Sequence, residues 1–474
     1  MTAIDRSAER GPDHDHGLGD EGGHVDDHGH IDEPAELGLD DLVRRDQAAI
    51  RCPYPIFARL RHERPVVFND ALGAWVVTRY DDVLAVLHDT ARFSSRMPTG
   101  PQVVGSVLAE SMATLAAEPE MAEVFEAVMG RRGQAAVLLN ADPPDHRRQR
   151  VLVNGAFRPF QLRALEPKVH DVATRLVDEF ADASLEGDDG RIGVEFVSRF
   201  AVGLPMEIIA HALGVADDDL ARFKRWSDDL VMPVGNHAPT VEQTRRYLVS
   251  SKEFAEYFSA KLAERRANPT GDIISDVATA ELDGEQLSEA EMLGMLQQFL
   301  VAGNETTTNL LTNIAHRLAI DTELQARIRA DRTLVDGLVE EALRFEAPVG
   351  GLFRQAKEDV HVGGVPVPAG DHVWLLYASA NRDADRFEQP DTFDPCRANV
   401  RDHLAFGHGE HFCIGAGLAR AEARIGTNVI LDRMADIALG DGNEFPCADT
   451  FVLRGLQRLH LTFRATPRPT SRPL

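Results

Sequence analysis

Cys413, one of four cysteines, stands where a thiolate would be stabilised. It follows the run His403-Leu404-Ala405-Phe406-Gly407-His408-Gly409-Glu410-His411-Phe412 and precedes a helical stretch from Ile414 to about Met434. Free backbone N–H groups and the positive end of the helix dipole favour ionised sulfur there, the form that ligates metal. Gly407 and Gly409 permit a tight loop whose backbone comes close to a flat cofactor, and Gly415 lets the helix start lie against it. The alternative is an ordinary buried cysteine, which is commoner for a lone Cys. The glycines and aromatics around Cys413 weigh against that alternative.

Two other patterns could do chemistry. Glu341 and Arg344 in Glu341-Ala342-Leu343-Arg344 place a carboxylate and a guanidinium on one helix face; alone, this is a common surface pair. Ala302-Gly303-Asn304-Glu305-Thr306 sets polar groups in the middle of an apolar helix, where they are costly unless partnered or useful. A glycine, an acid and a threonine there offer a local break in which a hydroxyl can back-bond or bind water. A packing glycine beside a solvated Glu-Thr pair is the plain alternative.

The elements that must position these groups are mostly helical. The helix carrying Thr306 has the best-specified start: Ser288 with Glu291 fits a capping box, and Leu287 with Met292 a hydrophobic staple. Its apolar positions run through Leu293, Leu296, Leu300, Leu311, Ile314 and Leu318, so some thirty residues, roughly 45 Å, cross the centre of the molecule. Further helices are expected over 81–88, 147–157, 166–182, 197–213, 241–266 and 333–345. Strands are expected at Pro65–Phe68, Ala74–Thr78, Val360–Val362, Val373–Leu376 and Leu459–Phe463. The stretch Ser94 to Asn140 reads as long and irregular, a cover for a site.

Composition bounds the function. A formal charge of -26 argues against nucleic acid or an anionic membrane as partner. Four cysteines without paired spacing fit a reducing compartment, and no long apolar run suggests a membrane span, so a cytoplasmic protein is expected. Residues 1–36 are acidic and carry His14, His16, His24, His28 and His30; they are expected to be a disordered tail outside the fold. Adventitious metal capture by that tail, and a metal-binding scaffold built on it, are alternatives to an enzyme.

The run Phe406-x-x-Gly409-x-x-x-Cys413-x-Gly415, continued by Leu418-Ala419-Arg420, resembles the haem-binding signature of cytochrome P450 enzymes. The resemblance extends from about Leu37 to Phe463. It implies one large domain, residues 37–474, mainly α with small β-sheets, binding haem b through the axial thiolate of Cys413. Glu341 and Arg344 then resemble the family's ExxR motif, with Arg397 as third member of a structural network. Thr306 and Glu305 resemble the acid-alcohol pair that handles dioxygen and its protons, which argues against a peroxygenase or a haem-thiolate sensor without partner-driven turnover.

By the same resemblance His146, Arg150, Arg354 and His411 would bind the haem carboxylates, with His403 a further candidate. Ala302, Gly303, Phe406, Gly407 and Gly415 would lie against the cofactor. Phe299, Gly350, Gly351, Leu352 and Val452 would line an apolar pocket, with glycines leaving room near the iron, for a lipophilic substrate. The implied reaction is hydroxylation or oxidative dealkylation by a monomer, using O2 and electrons from a separate ferredoxin or flavodoxin. Arg147, Arg148, Arg420 and Arg424 would form the basic patch that docks it.

Overall fold

The longest element is a helix of 32 residues, Glu289–Ile320. This computed structural model describes residues 37–100, 107–130, 135–183, 190–232, 234, 239–447 and 450–467. The stretch 1–36, read above as a tail, lies outside the described residues. Ser288 caps the long helix: its hydroxyl accepts the Glu291 N–H at 3.2 Å, and the Glu291 carboxylate accepts the Ser288 N–H at 2.8 Å. Thr308, Asn309, Leu310, Leu311 and Thr312 follow one another and are all buried, so the helix is enclosed on every side over this stretch. It runs through Gly303 without the break expected there.

Packed against this central helix are Gly203–Leu213, Leu220–Leu230, Val335–Phe345 and Ala416–Arg433, together with the strand Met434–Leu439. The cysteine helix Ala416–Arg433 also lies along Pro159–Ala183. Five strands order as Val66–Asn69, Ala74–Val77, His372–Leu375, Leu352–Ala356 and Phe93–Ser94, all antiparallel except the pairing of Ala74–Val77 with His372–Leu375. A second sheet joins Met434–Leu439, His460–Ala465 and Ile192–Glu195.

The segment expected to be irregular from Ser94 to Asn140 contains two helices, Val107–Ala116 and Ala122–Met129. Met121 and Val128 are buried there with Leu248 of the helix Val241–Ala267, so tertiary packing supplies what local pattern did not. Among the described residues no helix is long and apolar enough to cross a membrane.

Candidate active site

The cysteine loop is held by backbone geometry. Gly407 and Gly409 adopt φ of +67° and +71°, a region that other residues enter at a cost, and a Cβ on Gly409 would meet the Leu87 carbonyl at 3.1 Å. The Cys413 N–H donates to the Phe406 carbonyl at 3.0 Å, closing the loop just before the helix Ala416–Arg433. Cys413 is accessible although protein surrounds it, which places its sulfur on the wall of an internal cleft. Burial pushes the thiol up. The Gly415 and Ala416 N–H groups and the Arg150 and Arg420 charges oppose that push, as the helix-start argument requires. Burial outweighs them and holds the thiol above its ordinary range.

Four groups from three elements converge beside this sulfur. His146 and Arg150 lie on the helix Asp145–Val153, Arg354 on the strand Leu352–Ala356, and His411 in the loop. The imidazoles of His146 and His411 are 4.0 Å apart between ring centres. Burial, with Arg354, His146 and Arg150 nearby, drives the His411 pKa down to about 2. Burial and Arg150 also lower that of His146. Among the described residues neither Arg150 nor Arg354 meets a carboxylate; Arg354 donates to the Phe353 carbonyl at 2.8 Å. His146 Nδ1 and His411 Nε2 are buried without a hydrogen-bond partner, and Glu410, 4.0 Å from His146, is engaged by Arg147.

A cationic, donor-rich cluster with orphaned nitrogens demands anionic acceptors. Haem carries two carboxylates on one edge of an apolar ring, so these residues fit it, with Cys413 facing the same cleft. His403 does not belong to the cluster. Its Nε2 lies 3.0 Å from Glu340 Oε2 and its Nδ1 accepts the Ala405 N–H, so it serves the loop's interior.

On the central helix, Ala302 is exposed in the middle of an otherwise enclosed element, and the Thr306 hydroxyl one turn on donates to the Ala302 carbonyl at 2.8 Å. These two share an open face. The neighbouring positions turn away from it. Gly303, expected against the cofactor, packs on the helix Gly203–Leu213, where an added Cβ would meet Ile209 Cγ1 at 3.2 Å. Asn304 donates to Ser227 Oγ at 2.8 Å. Glu305 is raised by burial and by Asp228, with Lys224 opposing, so it senses charges on the helix Leu220–Leu230.

Glu341 and Arg344 are fully buried and form two bonds of 2.7 Å, and Arg397 Nε stands 3.4 Å from Glu341 Oε1. Arg344 and Arg397 both donate to the Thr392 carbonyl, at 3.2 and 2.9 Å, and Asp394 N–H reaches Glu341 at 2.9 Å. The network thereby ties the helix Val335–Phe345 to the chain leading into the cysteine loop. Sequence reasoning missed Glu340. It accepts from Arg420 at 2.7 and 2.9 Å and from His403, partners that hold its pKa at about 2 against the opposing effect of burial. Arg420 in turn covers the Phe406 ring at 4.6 Å. The doubled acid Glu340-Glu341 was the available signal.

The apolar wall differs in detail from the expectation. Gly350 N–H donates to the Val452 carbonyl at 2.7 Å, and Val349 bridges to Leu453, so two distant segments form one surface. Leu352 is half-buried and Val452 fully buried. At Gly351 a Cβ would lie 2.3 Å from the Leu375 carbonyl, so the absence of a side chain serves strand packing. Phe299 belongs to the core, edge-on to Phe157 at 5.2 Å. The four arginines expected to form a basic patch each pair with a carboxylate: Arg147 with Glu410, Arg148 with Glu291, Arg420 with Glu340 and Arg424 with Glu166.

A family model described as Cytochrome P450 matches residues 94–435. The cytochrome P450 monooxygenase PikC of Streptomyces venezuelae is 37% identical over 420 residues, covering 87% of this chain and 91% of that one. Among solved structures, the cytochrome P450 CYP109Q5 of Chondromyces apiculatus has a TM-score of 0.74 at 37% identity, covering 89% of this chain and 98% of its own. CYP109E1 of Bacillus megaterium, in complex with corticosterone, has a TM-score of 0.74 at 32% identity, covering 88% and 100%. With that cleft, that cationic cluster and these relatives, the chain belongs to the cytochrome P450 family of haem-thiolate monooxygenases.

Proposed function

We propose that Cys413 would hold the haem iron through its sulfur and that the catalytic unit, residues 37–474, inserts oxygen into a lipophilic small molecule by hydroxylation or oxidative dealkylation. The carrying observation is the pair of guanidiniums, Arg150 and Arg354, without a carboxylate among the described residues, set with the unpartnered nitrogens of His146 and His411 beside the accessible Cys413. His146, Arg150, Arg354 and His411 bind and orient the cofactor's two carboxylates. When bound, haem supplies the oxidising chemistry, activation of O2 and transfer of one oxygen atom. The Gly415 and Ala416 N–H groups favour the negative sulfur over the neutral thiol. Thr306 presents its hydroxyl on the open face beside Ala302 and holds a proton there. Glu305, kept above the usual carboxylate range, carries a proton at higher pH than an exposed acid and passes it from the Asp228 side.

Leu352, half-buried on the strand that carries Arg354, supplies apolar surface with Gly350 and Val452 packed behind it, which suits a lipophilic substrate; the complex of the Bacillus megaterium relative with corticosterone supports this class. Electrons come from a ferredoxin or flavodoxin type donor to a cytoplasmic monomer. Lipophilic compounds that change the iron's spin state should be oxidised only when such a donor is supplied. Equal turnover with peroxide alone would make the protein a peroxygenase and overturn the partner-driven reading.

A further inference from the structure

A second cavity lies away from the cysteine cleft. It measures about 410 Å³, within the range of small-molecule sites, and opens against the C-terminal turns of the central helix, Asn313 to Ile320. Asn313 is seven residues beyond Thr306, about 10 Å along the axis. Between the two regions Asn309 is pressed against Gly455, where a Cβ would fall 1.9 Å from Asn309 Oδ1. No step described above uses this cavity.

Its chemistry is of two kinds. Phe345, Phe393 and Phe445 give it aromatic walls, the first two edge to face at 5.5 Å, and Ile320 lies half-open at its rim. Set among them are three guanidiniums, Arg51, Arg317 and Arg454, against one carboxylate, Glu346. In a chain of net charge -26 such a local excess of cations is unusual. Glu346 is already engaged, accepting from Arg454 at 2.6 Å and from the Tyr54 hydroxyl at 2.7 Å.

The other two cations have capacity left. Arg317 reaches Asp321 at 3.2 Å through Nη2 and lies 4.7 Å over the Phe393 ring, and among the described residues its Nη1 meets no acceptor. Arg51 has no carboxylate partner among the described residues and is exposed at the cavity's edge. Guanidiniums beside aromatic faces select planar anions, because the fork pairs with a carboxylate or sulfonate while the rings take the apolar body.

We propose that this cavity binds an amphipathic organic anion, an aromatic carboxylate or sulfonate, at a site separate from the pocket beside Cys413. The carboxylate accepts from Arg317 and Arg51, and the ring rests among Phe345, Phe393 and Phe445. The test uses the holoenzyme with 4-phenylimidazole saturating the iron, so that the cysteine cleft is closed to the probe. Binding of 2-naphthoate is then followed by calorimetry.

A single saturable site is expected, preferring 2-naphthoate over neutral 2-naphthalenemethanol by about tenfold. Arg317→Glu and Arg51→Glu each weaken 2-naphthoate by about tenfold or more. Ile320→Trp, which fills the rim, abolishes binding. Arg51 and Ile320 are exposed, so their variants remain informative if Arg317→Glu fails to fold. Three results would overturn the proposal: no saturable binding, equal affinity for acid and alcohol, or affinity unchanged in the foldable arginine variant. Displacement of 4-phenylimidazole from the iron by 2-naphthoate would overturn it too, by assigning the probe to the cysteine cleft.

Discussion

The Thr306 hydroxyl has one neighbour in its own helix, the Ala302 carbonyl at 2.8 Å, and otherwise faces the open side that Ala302 shares. Its loss should leave the helix intact, since the bond is a local back-bond of small value. Thr306→Ala should therefore keep the fold and substrate affinity while diverting most reducing equivalents to hydrogen peroxide; Thr306→Ser should restore much of the coupling. Measuring peroxide and product against electrons consumed decides it, and unaltered coupling in the alanine variant contradicts the assigned role. At this scale the sequence was informative where spacing itself carried the chemistry, as at Cys413, Glu341 and Arg344. At Gly303 and Gly351 the structure shows a packing role that spacing did not reveal. A glycine's purpose is set by whatever approaches it, and Ile209 and Leu375 come from distant segments. Glu340 stayed hidden for a related reason, because its partners Arg420 and His403 lie 80 and 63 residues away.

The cysteine helix Ala416–Arg433 contains an acid that the proposed chemistry does not use. Glu422 is buried, its Oε2 has no hydrogen-bond partner, and burial alone pushes its pKa up to about 8. A carboxyl raised in the fold keeps its proton while the unfolded chain has already released one. Stability is therefore lost as pH rises from about 4.5 through about 8. Glu422→Gln removes that loss. Its Tm should match wild type near pH 4 and exceed it at pH 8, where the underlying difference is on the order of 5 kcal/mol before relaxation or water entry reduces it. Thermal unfolding across that range tests the claim, and a pH-independent difference would contradict it. Among elements, the central helix was legible because its capping box and the apolar pattern on either side of the polar segment Asn304–Asn309 agree. The helices Val107–Ala116 and Ala122–Met129 were not, since they gain order by packing on Val241–Ala267 rather than from local pattern.

Across the whole molecule the chain is strongly acidic, and the four arginines first read as a docking patch each meet a carboxylate. Paired charges project little field beyond a Debye length. The rate of electron delivery from an acidic ferredoxin or flavodoxin should accordingly not fall as salt is added, and should hold or rise as like-charge repulsion is screened. A fall of about tenfold or more, followed by stopped-flow reduction, would contradict that and restore a steering role to surface cations. The central claim remains the bond between Cys413 and iron. Its most direct test is the absorption spectrum of the reduced, carbon monoxide-bound holoenzyme beside that of Cys413→Ser. The account predicts a main band shifted far to the red in the wild type and absent from the variant. A histidine-type band in the wild type, or a red-shifted band that survives Cys413→Ser, would contradict it.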